Sequence, residues 1–287
     1  MTIAYLNGDF LPLDQACVPV MDRGFLFGDG IYEVIPVYGG KLFRLTHHLK
    51  RLQNSLDAVR IANPLDADAW EAILTELVER NPGSDQAVYL QVTRGVAPRR
   101  DHAFPEETRP TVFAMSSPSA EPVSITAIQG ISAITLPDIR WQHCNIKAIT
   151  LLPNVLLRQQ AIDAGSVEAI LLKDGYAIEG AASNVFIVNN GILTTPPNGP
   201  ALLPGITRDL ILELADANAV LFREGSISEA DLRQADEIWL SSSTREISPV
   251  TKLDDQPVGS GQPGPVWQTM IGLFQEYKER VRRGQAS

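Results

Sequence analysis

Four two-residue turns constrain the fold of this chain more than any other feature of its sequence. They are Asn7-Gly8, Gly39-Gly40, Asp174-Gly175 and Asn190-Gly191, and each stands between two short strand candidates. Such pairs tolerate the positive φ of tight hairpin turns, so each pair predicts two antiparallel strands. Helical patterns are interspersed with these hairpins. Antiparallel strands mixed with helices predict an α+β fold with two domains.

The spacing of apolar residues predicts the helices. The first helix carries an apolar stripe at alternating steps of four and three residues from Leu45 to Val59, with Thr46 as its capping residue. A second helix starts at Asp66 or Asp68 and stops at the Asn-Pro-Gly sequence that follows it. Further helices are expected at about 152–164, 207–218 and 266–282.

The length and composition bear on the number of domains. A chain of 287 residues forms one large domain or two moderate ones. A serine- and proline-rich stretch at 116–122 has the composition of an extended linker. We therefore expect a small N-terminal α/β domain over residues 1–118 and a larger C-terminal domain over residues 119–287. Hydrophobic residues make up 44% of the chain, which is enough to bury a full core without disulfides or metals.

The charge and the cysteines limit the partners and the compartment. The formal net charge of −10 argues against nucleic acid or an anionic membrane as the main partner, because both need a basic surface. Cys17 and Cys144 fit no metal or redox spacing, so we expect no metal site and a cytoplasmic location. The N-terminal residues lack the features of a secretory signal, and no apolar run approaches the ~20 residues of a transmembrane helix.

Two segments of the C-terminal half have the chemistry of an anion site. A turn at Pro204-Gly205 precedes a helix that begins near Thr207, so the amides of Ile206 and Thr207 point outward at the positive end of the helix dipole. The alternative is that Thr207 only caps this helix. Four hydroxyl side chains at 241–244 follow an apolar strand, and they either bind a phosphate or form a polar turn. The presence of both segments in one domain favours a phosphate pocket.

Lys147 and Glu179 are candidate catalytic residues because of their neighbours in the sequence. Ile146, Ala148 and Ile149 flank Lys147, and desolvation of an ammonium lowers its pKa and favours the nucleophilic amine. Glu179 lies between an apolar strand and small residues that leave room for a flat ligand. The alternatives are a surface lysine at a strand edge and a glutamate in an ordinary turn.

A basic, proline-flanked loop at 99–102 is unusual in so acidic a protein. It contains Arg99, Arg100 and His102, and the fork of an arginine side chain suits a carboxylate ligand. The alternative is a solvated loop in which Asp101 neutralises one of the arginines. Residue spacing does not separate these two interpretations.

Six segments occur together over nearly the whole chain, and their combination is far more specific than any one of them. One of them is Glu-Gly-Ala-Ala-Ser-Asn-Val-Phe at 179–186, and the others are at 22–34, 48–52, 145–147, 205–208 and 243–249. In this order they resemble the fold-type IV pyridoxal-phosphate enzymes, which include branched-chain aminotransferases, D-amino-acid transaminases and aminodeoxychorismate lyase. The resemblance implies a two-domain α+β fold with pyridoxal 5′-phosphate as the cofactor.

The resemblance also implies a role for each matching residue. Lys147 would hold the cofactor covalently and move the proton during catalysis, and Glu179 would pair with the protonated pyridine nitrogen. The cofactor phosphate would be held by Arg51, by the amides of Ile206 and Thr207, and by the hydroxyls of Ser243 and Thr244. The two ends of the cofactor need opposite charges. A glutamate at one end, with an arginine and a helix N-terminus at the other, provides them.

Within the family, the loop at 98–102 is most similar to that of the D-amino-acid transaminases, although it is one residue longer here. The resemblance implies that the substrate carboxylate is bound by Tyr32, Arg99 and His102 and that the side-chain pocket is shaped by Val34 and Tyr89. Arg99 is preferred to Arg100 because it directly follows the proline. In this family the loop reaches the active site of the partner subunit, which implies a homodimer.

The expected activity is transamination between a D-amino acid, such as D-alanine, and a 2-oxo acid, such as 2-oxoglutarate. An L-branched-chain aminotransferase, an aminodeoxychorismate lyase of the same fold and a non-catalytic pyridoxal-phosphate carrier are the alternatives. Two positions depart from the D-specific pattern. Ala182 replaces a serine, and Arg245 replaces a small residue. Arg245 either meets an acidic substrate side chain or is a surface residue.

Overall fold

The computed structural model describes residues 2–119 and 127–286, and the chain forms two compact units. The first unit consists of Met1–Ala120, Ile146–Thr150 and Lys278–Ser287, and the second of Glu121–Asn145 and Leu151–Tyr277. The expected boundary between residues 118 and 119 stays a prediction. The two units differ from it because two short later segments belong to the first unit. Residues 120–122 of the predicted linker lie outside the described residues.

A six-stranded sheet is the basis of the first unit. Its strands are β1 (Ile3–Leu6), β2 (Asp9–Pro12), β3 (Gly30–Tyr38), β4 (Lys41–Leu42), β5 (Gln86–Thr93) and β6 (Thr111–Pro118). They lie in the order β2-β1-β6-β5-β3-β4, and every neighbouring pair is antiparallel. The helices of this unit are α1 (Arg23–Phe27), α2 (Leu45–Ala58) and α3 (Ala67–Glu79), and a 3₁₀ turn covers Leu13–Gln15.

The alternation of side chains along β3 separates the two faces of this sheet. Ile31, Glu33 and Ile35 are buried on the face that α2 and α3 cover, whereas Tyr32 and Val34 are half-buried on the opposite face. The core on the covered face also contains Leu52, Leu56, Trp70, Leu74, Leu77, Val88, Leu90 and Val92. The sheet therefore has one apolar face against its helices and one mixed, half-buried face on the other side.

A ten-stranded mixed sheet is the basis of the second unit. Its strands are β7 (Ile131–Pro137), β8 (Glu168–Lys173), β9 (Tyr176–Gly180), β10 (Asn184–Asn189), β11 (Ile192–Thr195), β12 (Phe222–Glu224), β13 (Ile227–Ser228), β14 (Glu237–Ser242), β15 (Glu246–Leu253) and β16 (Gln256–Pro257). Their order is β12-β11-β10-β14-β15-β7-β8-β9-β13, with β16 paired to β15. The later helices are α4 (Leu152–Asp163), α5 (Ile206–Ala217), α6 (Glu229–Arg233) and α7 (Pro265–Arg282). The predicted α+β class is confirmed.

All four predicted hairpins are present. The pairs β1–β2, β3–β4, β8–β9 and β10–β11 are antiparallel. Both residues of every turn pair have positive φ, from 51° at Asn190 to 115° at Gly8. The turn residues were predictive because few other residue pairs adopt this backbone conformation without strain.

The helix caps agree with the sequence prediction at one helix and not at another. The prediction that Thr46 caps α2 is wrong, because α2 begins at Leu45 and its N-cap is Arg44, with a φ of 52°. The left-handed conformation of Arg44 turns the chain from β4 directly into the helix. At α3 the Asp66 alternative is correct, since its carboxylate accepts a hydrogen bond of 2.9 Å from the amide of Ala69.

Two kinds of feature are absent from the described residues. Every helix within them is too short or too polar to cross a lipid bilayer. In the same part of the chain, no group of three or more histidine, cysteine, aspartate or glutamate side chains is placed to hold a metal ion. Cys17 is an exposed free thiol and Cys144 a buried one.

Candidate active site

Lys147 is held by its backbone against the sheet of the first unit. Its carbonyl accepts a hydrogen bond of 2.9 Å from the amide of Tyr32, and its own amide donates to Ser55 Oγ at 3.2 Å. The next residue, Ala148, forms a β-bridge with Ile31. The side chain is half-buried, and its Nζ lies 4.1 Å from the centroid of the Tyr32 ring. An aromatic face at this distance attracts the ammonium.

The three residues predicted to contact substrate from β3 and β5 share one face of this sheet. Tyr32 pairs in register with Gln91, and Val34 pairs with Tyr89. The rings of Tyr32 and Tyr89 stack with centroids 5.8 Å apart, and the Tyr89 hydroxyl donates to Gln91 Oε1 at 2.7 Å. Burial, reinforced by Tyr32, raises the pKa of Tyr89 to about 12. Tyr89 is therefore neutral at physiological pH.

Arg51 lies on the opposite face of the same sheet, where it pairs with Glu33. Its Nε donates to Glu33 Oε1 at 2.8 Å and its Nη2 to Glu33 Oε2 at 2.7 Å. His48 Nδ1 lies 2.8 Å from the same Oε2. Burial alone would raise the pKa of Glu33, but the Arg51 guanidinium and the His48 contact hold it well below its usual range. The sequence pattern assigned no role to Glu33 or His48, although the charged Glu33 stands between the apolar residues Ile31 and Ile35.

The side chains of the basic loop are at the surface. Arg99 is 83% exposed, and its Nη2 lies 3.6 Å from Asp101 Oδ2. The alternative that Asp101 neutralises an arginine thus describes a contact that exists, but an exposed pair contributes little to stability. The guanidinium of Arg100 lies 4.9 Å from the Phe27 ring centroid, and the His102 ring lies 5.3 Å from it. The arginine and histidine side chains are therefore available to another molecule.

The backbone of the loop accepts hydrogen bonds from the buried Arg23. Arg23 donates to the carbonyl oxygen of Asp101 at 2.6 Å and to those of His102 and Ala103 at 3.2 Å. Asp29 in turn accepts from Arg23 Nε at 2.7 Å and from Arg94 Nε at 2.8 Å. Although burial would raise it, these two guanidiniums lower the pKa of Asp29. The loop therefore has a fixed main chain beneath exposed side chains.

Glu179 is the buried acid of the second unit. Its Oε2 accepts hydrogen bonds from the Leu203 amide at 3.1 Å and from Asn184 Nδ2 at 3.3 Å, and its Oε1 pairs with Arg140. Burial raises the pKa of Glu179 to about 7, in opposition to Arg140, which lowers it. The charge of this carboxyl therefore depends on the arginine beside it.

Arg140 is shared between two carboxylates. Its Nε and Nη2 each donate to Asp138 at 2.9 Å, while its Nη1 pairs with Glu179. All three side chains are at least nine-tenths buried. Burial alone would lower the pKa of Arg140, but its two acidic partners raise it. The sequence pattern assigned no role to Arg140, because its partner Glu179 is 39 residues away in the chain.

The N-terminus of α5 has the features expected of an anion site. Gly205 is the N-cap, so Thr207 is inside the helix and does not cap it, and no side-chain hydrogen bond caps this end among the described residues. Ile206 and Thr207 are both buried. Helix α5 packs against β14, where the buried Ser241 Oγ has no hydrogen-bond partner among the described residues. An uncapped helix end suits an anionic ligand, and so does a buried hydroxyl without a partner.

The predicted phosphate residues Ser243 and Thr244 lie in the turn that connects β14 to β15, with Ser243 half-buried and Thr244 exposed. The neighbouring Arg245 places its Nη2 3.1 Å from Oε2 of the fully buried Glu168, and its side chain is 33% exposed. The two alternatives for Arg245, a contact with an acidic substrate side chain and a surface position, did not include a pair with Glu168. The arginine therefore has a partner within its own unit.

Gly205 offers a test of how tightly this end of α5 is packed. A Cβ at Gly205 would lie 1.9 Å from Asn184 Oδ1, and Asn184 is fixed by bonds to Glu179 and to the Leu203 carbonyl oxygen. We expect Gly205→Ala to lower the free energy of unfolding by about 1–3 kcal/mol in urea denaturation. Gly199→Ala is the matched control, because nothing lies within 4 Å of its Cβ. Equal effects of the two substitutions would contradict the packing argument.

The fold defines the class of protein. The structure aligns with the branched-chain amino acid aminotransferase from Thermoproteus uzoniensis with norvaline, with a TM-score of 0.87, 25% identity and coverage of 99% of this chain and 96% of that one. It aligns with the branched-chain amino acid aminotransferase from Escherichia coli with a TM-score of 0.87, 27% identity and coverage of 100% and 96%. The predicted fold-type IV architecture is confirmed, and these proteins with the same architecture are aminotransferases.

The family follows from the sequence comparison. Residues 30–253 match the family described as amino-transferase class IV, and the chain belongs to this family of enzymes. It is 40% identical over 260 residues to a D-alanine aminotransferase from Bacillus licheniformis, covering 91% of each chain. It is 37% identical over 280 residues to a D-alanine aminotransferase from Staphylococcus haemolyticus, covering 97% of this chain and 99% of the relative. The predicted aminotransferase activity is confirmed.

Proposed function

We propose that this aminotransferase transfers the amino group of a D-amino acid, such as D-alanine, to a 2-oxo acid, such as 2-oxoglutarate, with pyridoxal 5′-phosphate as its cofactor. One observation carries the choice of substrate class. The chain is 40% identical to a D-alanine aminotransferase over 91% of both chains, against 25% and 27% for the two branched-chain aminotransferases with the same fold.

The residues of each unit fit this cofactor. The first unit provides a half-buried amine at Lys147, and the second provides a buried carboxyl at Glu179. The second unit also provides the uncapped amides of Ile206 and Thr207 and the buried Ser241 hydroxyl without a partner among the described residues. When bound, pyridoxal phosphate supplies the electron sink for breaking the Cα–H bond of an amino acid. The protein must supply an amine, a partner for the ring nitrogen and an anion site.

We assign the reacting groups as follows. Lys147 holds the cofactor covalently, and its Nζ takes and returns the proton of the substrate Cα. Glu179, as a carboxylate, pairs with the pyridine nitrogen and favours its protonated form. The phosphate is held by Arg51, by the amides of Ile206 and Thr207, and by the hydroxyls of Ser243 and Thr244.

The substrate needs a second anion site and a side-chain pocket. We assign the carboxylate to Tyr32, Arg99 and His102, and the pocket to Val34 and Tyr89. The exposure of Arg99 and His102 above a fixed loop backbone supports a role in the active site of a partner subunit, so we propose a homodimer. With a net charge of −10 and free thiols at Cys17 and Cys144, we propose a cytoplasmic enzyme without nucleic-acid or membrane partners.

The absorbance spectrum of the cofactor tests this proposal. We expect the purified protein to be yellow and to lose its long-wavelength band within one turnover when mixed with D-alanine but not with L-alanine. Conversion by L-leucine alone would favour an L-branched-chain aminotransferase. Pyruvate release from aminodeoxychorismate without an amino acceptor would favour the lyase. A colourless protein that binds no pyridoxal phosphate would overturn the proposal as a whole.

A further inference from the structure

A charged cluster lies within the apolar core of the first unit. Glu33 is fully buried in β3, and it accepts hydrogen bonds from two nitrogens of Arg51 and contacts His48. His48 is 1% exposed and Arg51 is 6% exposed. Neighbouring core residues on the strands are Ile31, Ile35, Val88 and Leu90, all of them 0% exposed. An ion pair therefore lies buried at the edge of an apolar core.

Stability does not account for such a cluster. Removing a carboxylate and a guanidinium from water is costly, and well-packed apolar residues of similar volume often give equal or greater stability. Breaking the pair by removing one partner is strongly destabilising, because the remaining charge is buried alone. The cluster therefore points to a requirement for a guanidinium in a defined orientation at this place.

The geometry of the pair fixes that orientation. Glu33 takes the Nε and Nη2 edge of Arg51, so a single rigid carboxylate sets both the plane and the direction of the guanidinium. The same two elements also hold Lys147. Tyr32 of β3 donates to the Lys147 carbonyl oxygen, and Ser55 of α2 accepts from the Lys147 amide. Residues 32 and 33 of one strand thus position the amine and the arginine, respectively.

His48 completes the cluster without adding charge. It lies three residues before Arg51 on α2, so both side chains are on the same helix face. Burial lowers the pKa of His48. The contact with Glu33 opposes this shift, and the positive charges of Arg51 and Lys147 add to it. The neutral ring can donate its Nδ1 hydrogen to Glu33 and leave the Glu33–Arg51 pair electrically balanced. His48 Nε2 is buried without a hydrogen-bond partner among the described residues.

We propose that Glu33, supported by His48, is a positioning residue that aims Arg51 at the phosphate of the cofactor and thereby sets the affinity for phosphorylated pyridoxal. The inference rests on the proposed function, because it assumes that Arg51 binds this phosphate. Neither Glu33 nor His48 touches the phosphate under this proposal. Their effect is transmitted through the fixed direction of the guanidinium.

The test compares pyridoxal 5′-phosphate with pyridoxal, which lacks the phosphate. Both dissociation constants are measured by absorbance titration of the full chain after its cofactor has been removed. We expect Glu33→Gln to weaken binding of pyridoxal phosphate roughly 10- to 100-fold, as for loss of a hydrogen bond to a charged group. We expect binding of pyridoxal to change less than about threefold, since pyridoxal makes no phosphate contact.

Two further variants keep the test decisive. Glu237→Gln removes another buried carboxylate, one that accepts hydrogen bonds from Trp239 and Trp267, and it should leave the ratio of the two affinities unchanged. If Glu33→Gln does not fold, His48→Phe decides the question. It keeps the ion pair and should weaken only pyridoxal phosphate, about fivefold.

The outcomes distinguish failure of this inference from failure of the proposed function. If the wild-type protein binds neither compound, the proposed function fails. If the wild-type protein binds pyridoxal phosphate tightly but Glu33→Gln and His48→Phe weaken both compounds equally, or neither, the positioning role is wrong and the proposed function stands. A selective loss of phosphate-dependent affinity in either variant supports the inference.

Discussion

Lys147→Ala protein is expected to lose transamination, with the rate of the half-reaction with D-alanine reduced at least about 10³-fold. The wild-type amine lies 4.1 Å from the centroid of the Tyr32 ring, and alanine leaves no group there that can accept the Cα proton. The backbone contacts of residue 147 with Tyr32 and Ser55 do not depend on the side chain, so the fold should persist. The measurement is stopped-flow absorbance, with thermal unfolding as the check on folding.

Lys50→Ala is the matched control for this prediction. Lys50 is an exposed lysine on α2, beside Arg51 in the sequence, and its loss should leave the rate within about twofold. A half-reaction rate of Lys147→Ala within tenfold of the wild-type rate would mean that another base moves the proton, and the assignment of Lys147 would be wrong.

The same variant tests the proposed exchange of loops between subunits. Lys147→Ala and Arg99→Gln are each expected to be nearly inactive. If Arg99 serves the partner's active site, a mixed dimer contains one site with neither substitution. Mixing the two proteins under conditions that exchange subunits should then restore up to about a quarter of wild-type activity. Two subunits that each keep their own loop would give no restoration.

The second large effect is expected at Arg140. Arg140→Met removes the positive charge that opposes the effect of burial on Glu179, so the pKa of Glu179 should rise from about 7 by roughly 1 to 3 units. The carboxyl is neutral below its pKa and charged above it. If catalysis needs the carboxylate, the acidic limb of the pH–rate profile moves to higher pH, and the rate at pH 7 falls about 10²-fold.

The isosteric variant Glu179→Gln separates charge from structure. It cannot ionise, so its activity should be low at every pH and the limb should be absent. Arg140→Met should instead recover activity as the pH rises. Profiles of kcat/KM between pH 5 and 10 make the comparison, and urea denaturation at each pH shows whether the variants stay folded. An unshifted limb in Arg140→Met would contradict the proposed control of Glu179 by Arg140.

Local chemistry made much of the fold predictable. The four hairpins follow from turn pairs whose backbone requirement is met by few residues, and α3 begins at Asp66 because a carboxylate there can accept from the first turn of the helix. Thr46 is also a common N-cap residue type, but the prediction that it caps α2 is wrong. The left-handed conformation of Arg44 at the N-cap is not encoded by the spacing of apolar residues along the helix.

The candidate site also contains residues that local sequence could predict and partners that it could not. Lys147 and Glu179 could be singled out by their neighbours and by the family resemblance, but their immediate partners could not. The pairs of Arg51 with Glu33 and of Arg140 with Glu179 join residues 18 and 39 positions apart. Such pairs arise from strand pairing and helix packing, so they need the three-dimensional arrangement. The membership of Ile146–Thr150 in the first unit also depends on the three-dimensional arrangement, because these residues are far in the sequence from the rest of that unit.

The grip of Arg23 on the loop at 101–103 has a consequence for how substrate preference can change. Arg23 donates hydrogen bonds to backbone carbonyl oxygens, which every residue possesses. These bonds do not depend on which side chains the loop carries. If residues 99–102 bind substrate as proposed, substitutions among them would change the groups that meet the substrate while the contacts of Arg23 stay in place. Because Arg23 binds only backbone carbonyl oxygens, single substitutions in the loop can change its side chains without removing the contacts that position its main chain.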